Sequence, residues 1–437
     1  MTQMGNSGAS RIWYHGWNVV AVCILSQVAA NGLTYNALSL FLPGWSTELG
    51  TPISKLQLYT VGIMALVSAF LSPFVGALAD KFAARPLLAF GLIGIATFYG
   101  AISAVTDAWQ LLALYGLLVP LALCLSTAVV ANALISRWFV RRLGLALGLS
   151  AFGIGMAGVI LPPLIASLLP SVGWRTIWRG AAVIILLIIM PLVAWVARNR
   201  PTAVEGKYYL SNDGAPGKPR AHGHGSGAGT QLSWRDVVRR RNFWLLVAIY
   251  LPMLALYGGL GQNLGPFATN VGLTQQSAGV LISVLSFCHV VSTLVLGLIS
   301  DRFGNRLPFA GLALVMVTGV AILVTGSGLI TLAVGTAFIG FGGGLFTLLA
   351  AAIAVEFGAE GVGRAFGLCM MFIPLNAIAP YAVARTEENT GTYTPALLVL
   401  AALVLVSGLL SLLLRERRSG ARLSAVPLRA AVPKNHS

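Results

Sequence analysis

One histidine sits deep in an apolar stretch: His289, in Ser286-Phe-Cys-His289-Val-Val-Ser-Thr293. An imidazole titrates near pH ~6.5, which suits a proton switch. An ionisable group at membrane depth is costly and rarely faces lipid, so a place on a substrate or proton path is its default reading. Helical spacing puts Ser286, His289 and Thr293 on one stripe, and a structural histidine held by hydroxyls is the competing reading. Gln27, Asn31 and Tyr35 recur every fourth residue and form one polar face on an apolar helix, a face that should turn toward a wet cavity. Asn132, Tyr257, Gln262, Asn263 and Asn376 are further candidates, each with hydrogen bonding between helices as its alternative. Met370, Met371 and Phe372 could wall an apolar pocket or simply pack.

Other patterns imitate chemistry. Gly153-Ile-Gly155-Met-Ala-Gly158 fits the dinucleotide-binding fingerprint, but it lies in the middle of an apolar run, with no strand before it and no free helix N-terminus after it. Small residues there suit close helix packing. His222-Gly-His224 has no cysteine or carboxylate cluster beside it, and the four cysteines are spread one to a segment, so neither a metal site nor a disulfide framework is indicated. No G-x-S-x-G, H-E-x-x-H or P-loop occurs, which argues against an enzyme, an ATP-driven pump or a cofactor.

The elements that must position these residues follow from composition. Hydrophobic residues make up 57% and charged residues 9% of the chain, with mean hydropathy +0.84; soluble domains are roughly a quarter charged. At about 20 residues per crossing the chain has room for roughly a dozen transmembrane helices. The apolar runs fall into six spans, near Trp17–Pro43, Ile53–Ala79, Pro86–Val105, Trp109–Ser136, Leu143–Leu169 and Thr176–Ala197, and six more, near Phe243–Thr269, Gln276–Ser300, Leu307–Thr325, Ile330–Val355, Ala365–Ala384 and Pro395–Leu414. Arg11, Lys81, Arg85, Arg137, Arg141, Arg142, Arg198 to Arg241, Arg302, Arg306, Arg364 and Arg415 to Lys434 then share one side, against Lys55, Arg175, Arg179 and Arg385 on the other. That asymmetry puts both termini in the cytoplasm and accounts for the net charge of +16 without nucleic acid. The expected domains are residues 1–198, a six-helix bundle; 199–241, a cytoplasmic linker rich in Gly, Pro, Ser and basic residues; 242–414, a second six-helix bundle; and 415–437, a basic tail lying against anionic lipid.

A charged turn occurs twice. Gly76-Ala-Leu-Ala-Asp80-Lys81-Phe82-Ala-Ala-Arg85 returns half a chain later as Gly297-Leu-Ile-Ser-Asp301-Arg302-Phe303-Gly-Asn-Arg306, each between two apolar runs, as in a duplicated membrane protein. Both copies resemble the loop signature G-x-x-x-D-[RK]-x-G-[RK]-[RK] of the major facilitator superfamily, with Ala83 in place of a glycine in the first and Asn305 in a basic place in the second. The resemblance implies an all-α integral membrane fold, twelve helices in two pseudo-symmetric bundles, with gating loops formed by Gly76, Asp80, Lys81, Arg85, Gly297, Asp301, Arg302 and Arg306.

Arg137-Trp-Phe139-Val-Arg141-Arg142, running on through Ala146, Gly148, Gly153 and Gly158, resembles the fifth-helix signature of the monocarboxylate-transporter-like and bacterial organic-anion branch, as does the entry Gly16-Trp-Asn-Val-Val. Arg137, Arg141 and Arg142 join the gating set. In the eighth span that branch commonly carries an acidic residue and, four positions on, an arginine thought to hold the substrate carboxylate; this chain has His289 and Thr293 there. The resemblance implies a monomeric secondary transporter of a small organic anion, working by proton symport and alternating access in a bacterial inner membrane. Export of neutral or amphipathic compounds is the rival within that class, and a transport-like sensor the rival outside it.

Overall fold

The computed structural model describes residues 14–139, 143–199, 201 and 234–414, without the side chains of residues 80, 128, 143–144, 301 and 358–364. Every regular element among the described residues is helical. Eleven runs are long and apolar enough to cross a bilayer. One of them, Leu145–Val196, has 52 residues, which is ~78 Å of helix against a hydrocarbon core of ~30 Å. It turns at Gly173, whose φ of 73° places it where only glycine escapes a Cβ clash. The run is therefore two spans, the fifth and sixth, and the chain crosses twelve times.

The first four spans are Gly16–Asn36, Ile53–Ala79, Ala84–Ile102 and Ala108–Trp138. The seventh to twelfth are Arg241–Gly261, Gln275–Ser300, Arg306–Thr325, Leu329–Phe357, Ala365–Thr390 and Thr394–Ser411. Two boundaries differ from the sequence expectation. The first span, read as continuous to Pro43, is α-helical only to Asn31, passes through a π-helical turn at Gly32–Asn36 and restarts as the helix Leu38–Glu48. The seventh, read as continuous to Thr269, stops at Gly261 and resumes as Leu264–Asn270. Between the tenth and eleventh the backbone stays helical in type from Leu345 to Met370, but the chain reverses there as expected, since Glu356 and Phe372 both meet the start of the seventh span.

Each half packs within itself, the first span against the third, fourth and fifth, and the twelfth against the seventh and ninth. Lipid is as apolar as these side chains, so shape and close approach hold helices together. In the first half an aromatic core does this. Trp178 is fully buried and stands edge-on to Tyr99 at 4.9 Å and to Phe98 at 5.8 Å, while Trp45 stacks on it at 6.0 Å. The first, third and sixth spans are thereby locked together.

The halves meet along three seams: the eighth span on the fifth, the eleventh on the start of the second, and the helix Leu264–Asn270 on the helix Leu38–Glu48. In the first seam Gly279 lies so close to the fifth span that a Cβ would come within 2.8 Å of the Pro162 carbonyl oxygen.

Candidate transport path and gates

The eighth span begins at an N-cap, Thr274 Oγ1 accepting from the Ser277 amide. His289 sits more than two turns from either end of that span, and among the described residues no other Asp, Glu, Lys, Arg or His lies so deep in any span. The Tyr257 hydroxyl of the seventh span and His289 Nδ1 share a hydrogen bond of 2.8 Å, the rings standing at 85° with centroids 5.6 Å apart. From the other side the tenth span tightens into a 3-10 turn at Phe341–Gly344, which brings Gly343 against the imidazole; any Cβ there would overlap the ring. His289 is thus slotted between the seventh and tenth spans, half-buried.

The other expected path residues disperse. Thr293 Oγ1 and Ser292 Oγ both donate to the His289 carbonyl oxygen at 2.9 Å, so the Thr293 hydroxyl is engaged inside its own helix. Ser286 is buried in the seam, where Gly158 of the fifth span leaves room for its hydroxyl. Gln27 Nε2 donates to the carbonyl and hydroxyl of Ser150, at 2.6 and 2.7 Å, and joins the first span to the fifth. Asn31 Nδ2 reaches back to the Gln27 carbonyl oxygen at 3.0 Å. Asn132 is exposed, Tyr35 is half-buried beside the seventh span, and Asn376 stands against Gly258 with its amide oxygen buried and unpartnered.

Gln262 and Asn263 enter a different structure, a seal between the halves on the face opposite the two charged turns. Gln57 Nε2 of the second span, fully buried, donates to the Gln262 carbonyl oxygen at 2.7 Å and to Asn263 Oδ1 at 3.4 Å. Asn263 Nδ2 donates to the carbonyl oxygens of Gly259 and Pro380, and Gln262 Nε2 to that of Tyr35. The irregular segments meet here: the break after Gly261, the π turn Gly32–Asn36 and a second π turn at Leu58–Gly62. Such interruptions recur at functional sites because they free backbone groups and let a helix bend.

Nearer the rim, the Ser54 amide and hydroxyl donate to Glu388 Oε1 and Oε2 at 2.8 and 2.7 Å. A carboxylate of one half thereby caps the N-terminal turn of a helix of the other, where the helix dipole favours negative charge. Gln275 Nε2 donates to the Leu40 carbonyl oxygen at 2.9 Å, and Ser283 Oγ to that of Val159. Neither Gln57 nor the Ser54–Glu388 contact was marked in the sequence, where both read as ordinary polarity near span ends.

At the charged turns the hydrogen bonds stay within each half. Arg137 Nη2 donates to the Ala79 carbonyl oxygen at 2.7 Å, closing the end of the second span on the fourth, and the Arg85 amide donates to Asn199 Oδ1 at 2.9 Å. Lys81, Arg85, Arg302 and Arg306 are exposed. Gly76 has open space beside it, whereas Gly297 has the Thr347 methyl at 3.4 Å from an ideal Cβ. The side chains of Asp80 and Asp301, and Arg141, Arg142, His222, His224 and residues 415–437, lie outside the described residues. The described hydrogen bonds between the halves lie on the opposite face and along the seam of the fifth and eighth spans. Toward the charged turns, Phe70, Phe74 and Met371 are about 70% exposed.

On the opposite face Glu48 receives hydrogen bonds from Trp174 Nε1, at 2.7 Å, and from Arg175, which also donates to the Val105 carbonyl oxygen at 2.7 Å. Slight desolvation raises the Glu48 carboxyl, but the Arg175 and Trp174 hydrogen bonds and the Arg175 charge together hold it below the usual carboxylate range.

The Major Facilitator Superfamily profile matches residues 24–274 and 259–434. The chain is 28% identical over 415 residues to monocarboxylate transporter 11 of Mus musculus, covering 89% of this chain and 85% of that one. It is 26% identical over 303 residues to MFS-type transporter 1 of Ophiocordyceps sp. (strain BCC 1869), covering 67% and 60%. Among solved structures, a bacterial homologue of the human lysosomal transporter Spinster, in an inward-facing and unoccupied conformation, superposes with a TM-score of 0.70 at 15% identity, covering 92% of this chain and 97% of that one.

Proposed function

The chain belongs to the major facilitator superfamily of membrane transporters, and from that premise we propose that it is a proton symporter of a small monocarboxylate-like anion. The observation that carries this reading is His289, the deepest Asp, Glu, Lys, Arg or His among the described residues of the spans, bonded to Tyr257. A carboxylate brought from water into a low-dielectric cleft needs a positive partner. Among the described residues deep in the spans, a protonated His289 imidazole can supply one. Loading one proton with one monoanion leaves the site neutral, and a neutral site crosses the membrane at least cost. The relatives named monocarboxylate transporters support the same class of cargo.

In this reading the charged turns face the cytoplasm of a bacterial inner membrane with both termini, and the form described is open inward. Acid outside loads His289 and the anion when the opposite face is open. Resealing through Gln57, Asn263 and Glu388 delivers both to the cytoplasm, where higher pH strips the proton and frees the anion. The protein works as a monomer, the cleft lying between its own halves.

The test uses proteoliposomes and a radiolabelled short-chain monocarboxylate. Wild-type protein should accumulate label when the outside is made acidic, and His289→Gln should abolish accumulation while leaving exchange of label across the membrane. Accumulation by the variant with unchanged pH dependence would remove His289 from the mechanism. A second reading, export of neutral or amphipathic compounds, is favoured by the absence of a cation beside His289, where Thr293 is bonded into its own helix. It is supported if no carboxylate is taken up and cells carrying the protein gain resistance to such compounds.

A further inference from the structure

The hydrogen bond on His289 fixes more than its position. Of the two ring nitrogens only Nδ1 has a described hydrogen-bond partner, the Tyr257 hydroxyl. Gly343 closes on the Cγ and Cδ2 edge of the ring, leaving Nε2 as the end without a protein partner. The titratable neighbours are few. The seventh span brings Tyr257, the first brings Tyr35, whose backbone meets Gln262 just after the seventh, and the eighth span itself brings Cys288. The fifth span faces this stretch with Gly155 and Gly158, the ninth with Met316 and the tenth with Gly342, Gly343 and Gly344. Among the described residues no carboxylate, lysine or arginine is ion-paired to the imidazole.

We infer that Tyr257 is a positioning residue for transport: it assigns Nδ1 to itself and turns Nε2 to the cargo. The inference rests on the proposed role of His289 as proton site. A phenol is the better donor of the two neutral groups, so in the unprotonated pair Tyr257 O–H donates to Nδ1 and the imidazole hydrogen sits on Nε2, where a carboxylate can accept it. The incoming proton must then arrive at Nδ1. It does so by relay: the Tyr257 hydrogen moves along the 2.8 Å contact to Nδ1 while a proton from cleft water replaces it on the phenol oxygen. A hydronium ion from the acidic side gives up that proton and becomes water, the imidazole gains one, and the phenol ends as it began. The hydrogen bond has now reversed, Nδ1–H donating to the phenol oxygen.

A charge-assisted hydrogen bond is roughly twice as strong as a neutral one. Removing the phenol oxygen therefore withdraws more support from the imidazolium than from the imidazole. Tyr257→Phe keeps the ring and its packing. The pH of half-maximal uptake should fall by about one unit, a tenfold change in proton affinity, with the maximal rate in strong acid preserved within several-fold. A second readout does not need transport. Imidazole 15N spectra of the purified, 15N-histidine-labelled protein, with the His289 signal identified by its loss in His289→Gln, should show the Nε2–H tautomer in the wild type and a mixture of tautomers in Tyr257→Phe.

A half-maximal pH that stays put or rises, or a tautomer unchanged in Tyr257→Phe, overturns the inference about Tyr257. The underlying reading fails separately: if His289→Gln keeps the wild-type pH profile, His289 is not the proton site, whatever Tyr257 does. If Tyr257→Phe does not transport at all, the tautomer spectra decide.

Discussion

The two faces of the protein differ in what their hydrogen bonds join. On the face opposite the charged turns, hydrogen bonds run between the halves: Gln57 to Gln262 and Asn263, Ser54 to Glu388, Gln275 to Leu40. At the charged turns, Arg137 to Ala79 and Arg85 to Asn199 stay within one half. The first kind must break for that face to open, and the second can persist through the cycle. A gate is thus recognised by which halves its bonds join rather than by how many charges it carries.

The seal is also incompletely satisfied. The side-chain oxygens of Gln57 and Gln262 are both buried without partners, and each such group costs about 1–3 kcal/mol against hydration. Opening this face would return them to water and offset part of the hydrogen bonding lost. Such a balance keeps two states within reach of a small ligand-dependent bias.

Two substitutions sharpen the contrast, the stronger at the seal. Glu388→Ala removes the cap that crosses between the halves, whose bonds to a charged group are each worth about 1.5–3 kcal/mol. Labelling of a cysteine placed just inside the seal by a membrane-impermeant thiol reagent should rise on the order of tenfold. Unchanged labelling would mean that Glu388 merely decorates a rim held by other contacts.

The weaker effect belongs to Glu48, whose partners Trp174 and Arg175 all lie in its own half. Its side chain is 42% exposed, so after solvent screening the pair contributes under about 1 kcal/mol. The carboxyl is held below its ordinary range; the contribution is therefore present above the unfolded carboxylate pKa and lost as pH falls through the lower folded one. Glu48→Gln should lower the melting temperature slightly at neutral pH, by a margin that shrinks as pH falls through the lowered folded pKa, with access to the seal unaltered throughout. A change in access would place this contact among the gates.

The duplicated charged turn and the apolar runs made the twelve spans legible, because span length and basic-residue asymmetry are properties of a segment taken alone. Even the departure at Ala83 has a visible consequence. Gly304 in the second copy takes φ 75°, whereas Ala83 stays at φ −65° and the first turn is made by extended Phe82 instead. The destination of each polar side chain was less legible. Gln27 and Asn31 have the spacing of a wet face, yet the same spacing serves a helix seam, and Gln27 spends its amide on Ser150. Gln57 gave no signal because its burial is created by Gln262 and Asn263, some two hundred residues away. His289 could be singled out from its apolar surroundings, but its partner Tyr257 lies on another span and only the fold brings them together.

The central claim, that the face now sealed must open in every cycle, is tested most directly by tying it shut. In a background with the four native cysteines replaced and transport retained, Ser54→Cys and Glu388→Cys can be bridged by a short thiol cross-linker with a reducible spacer. The side chains they replace lie 2.7 Å apart in the sealed form. Cross-linked protein should lose both proton-driven accumulation and exchange, and recover both on reduction. Undiminished transport by fully cross-linked protein would contradict the account.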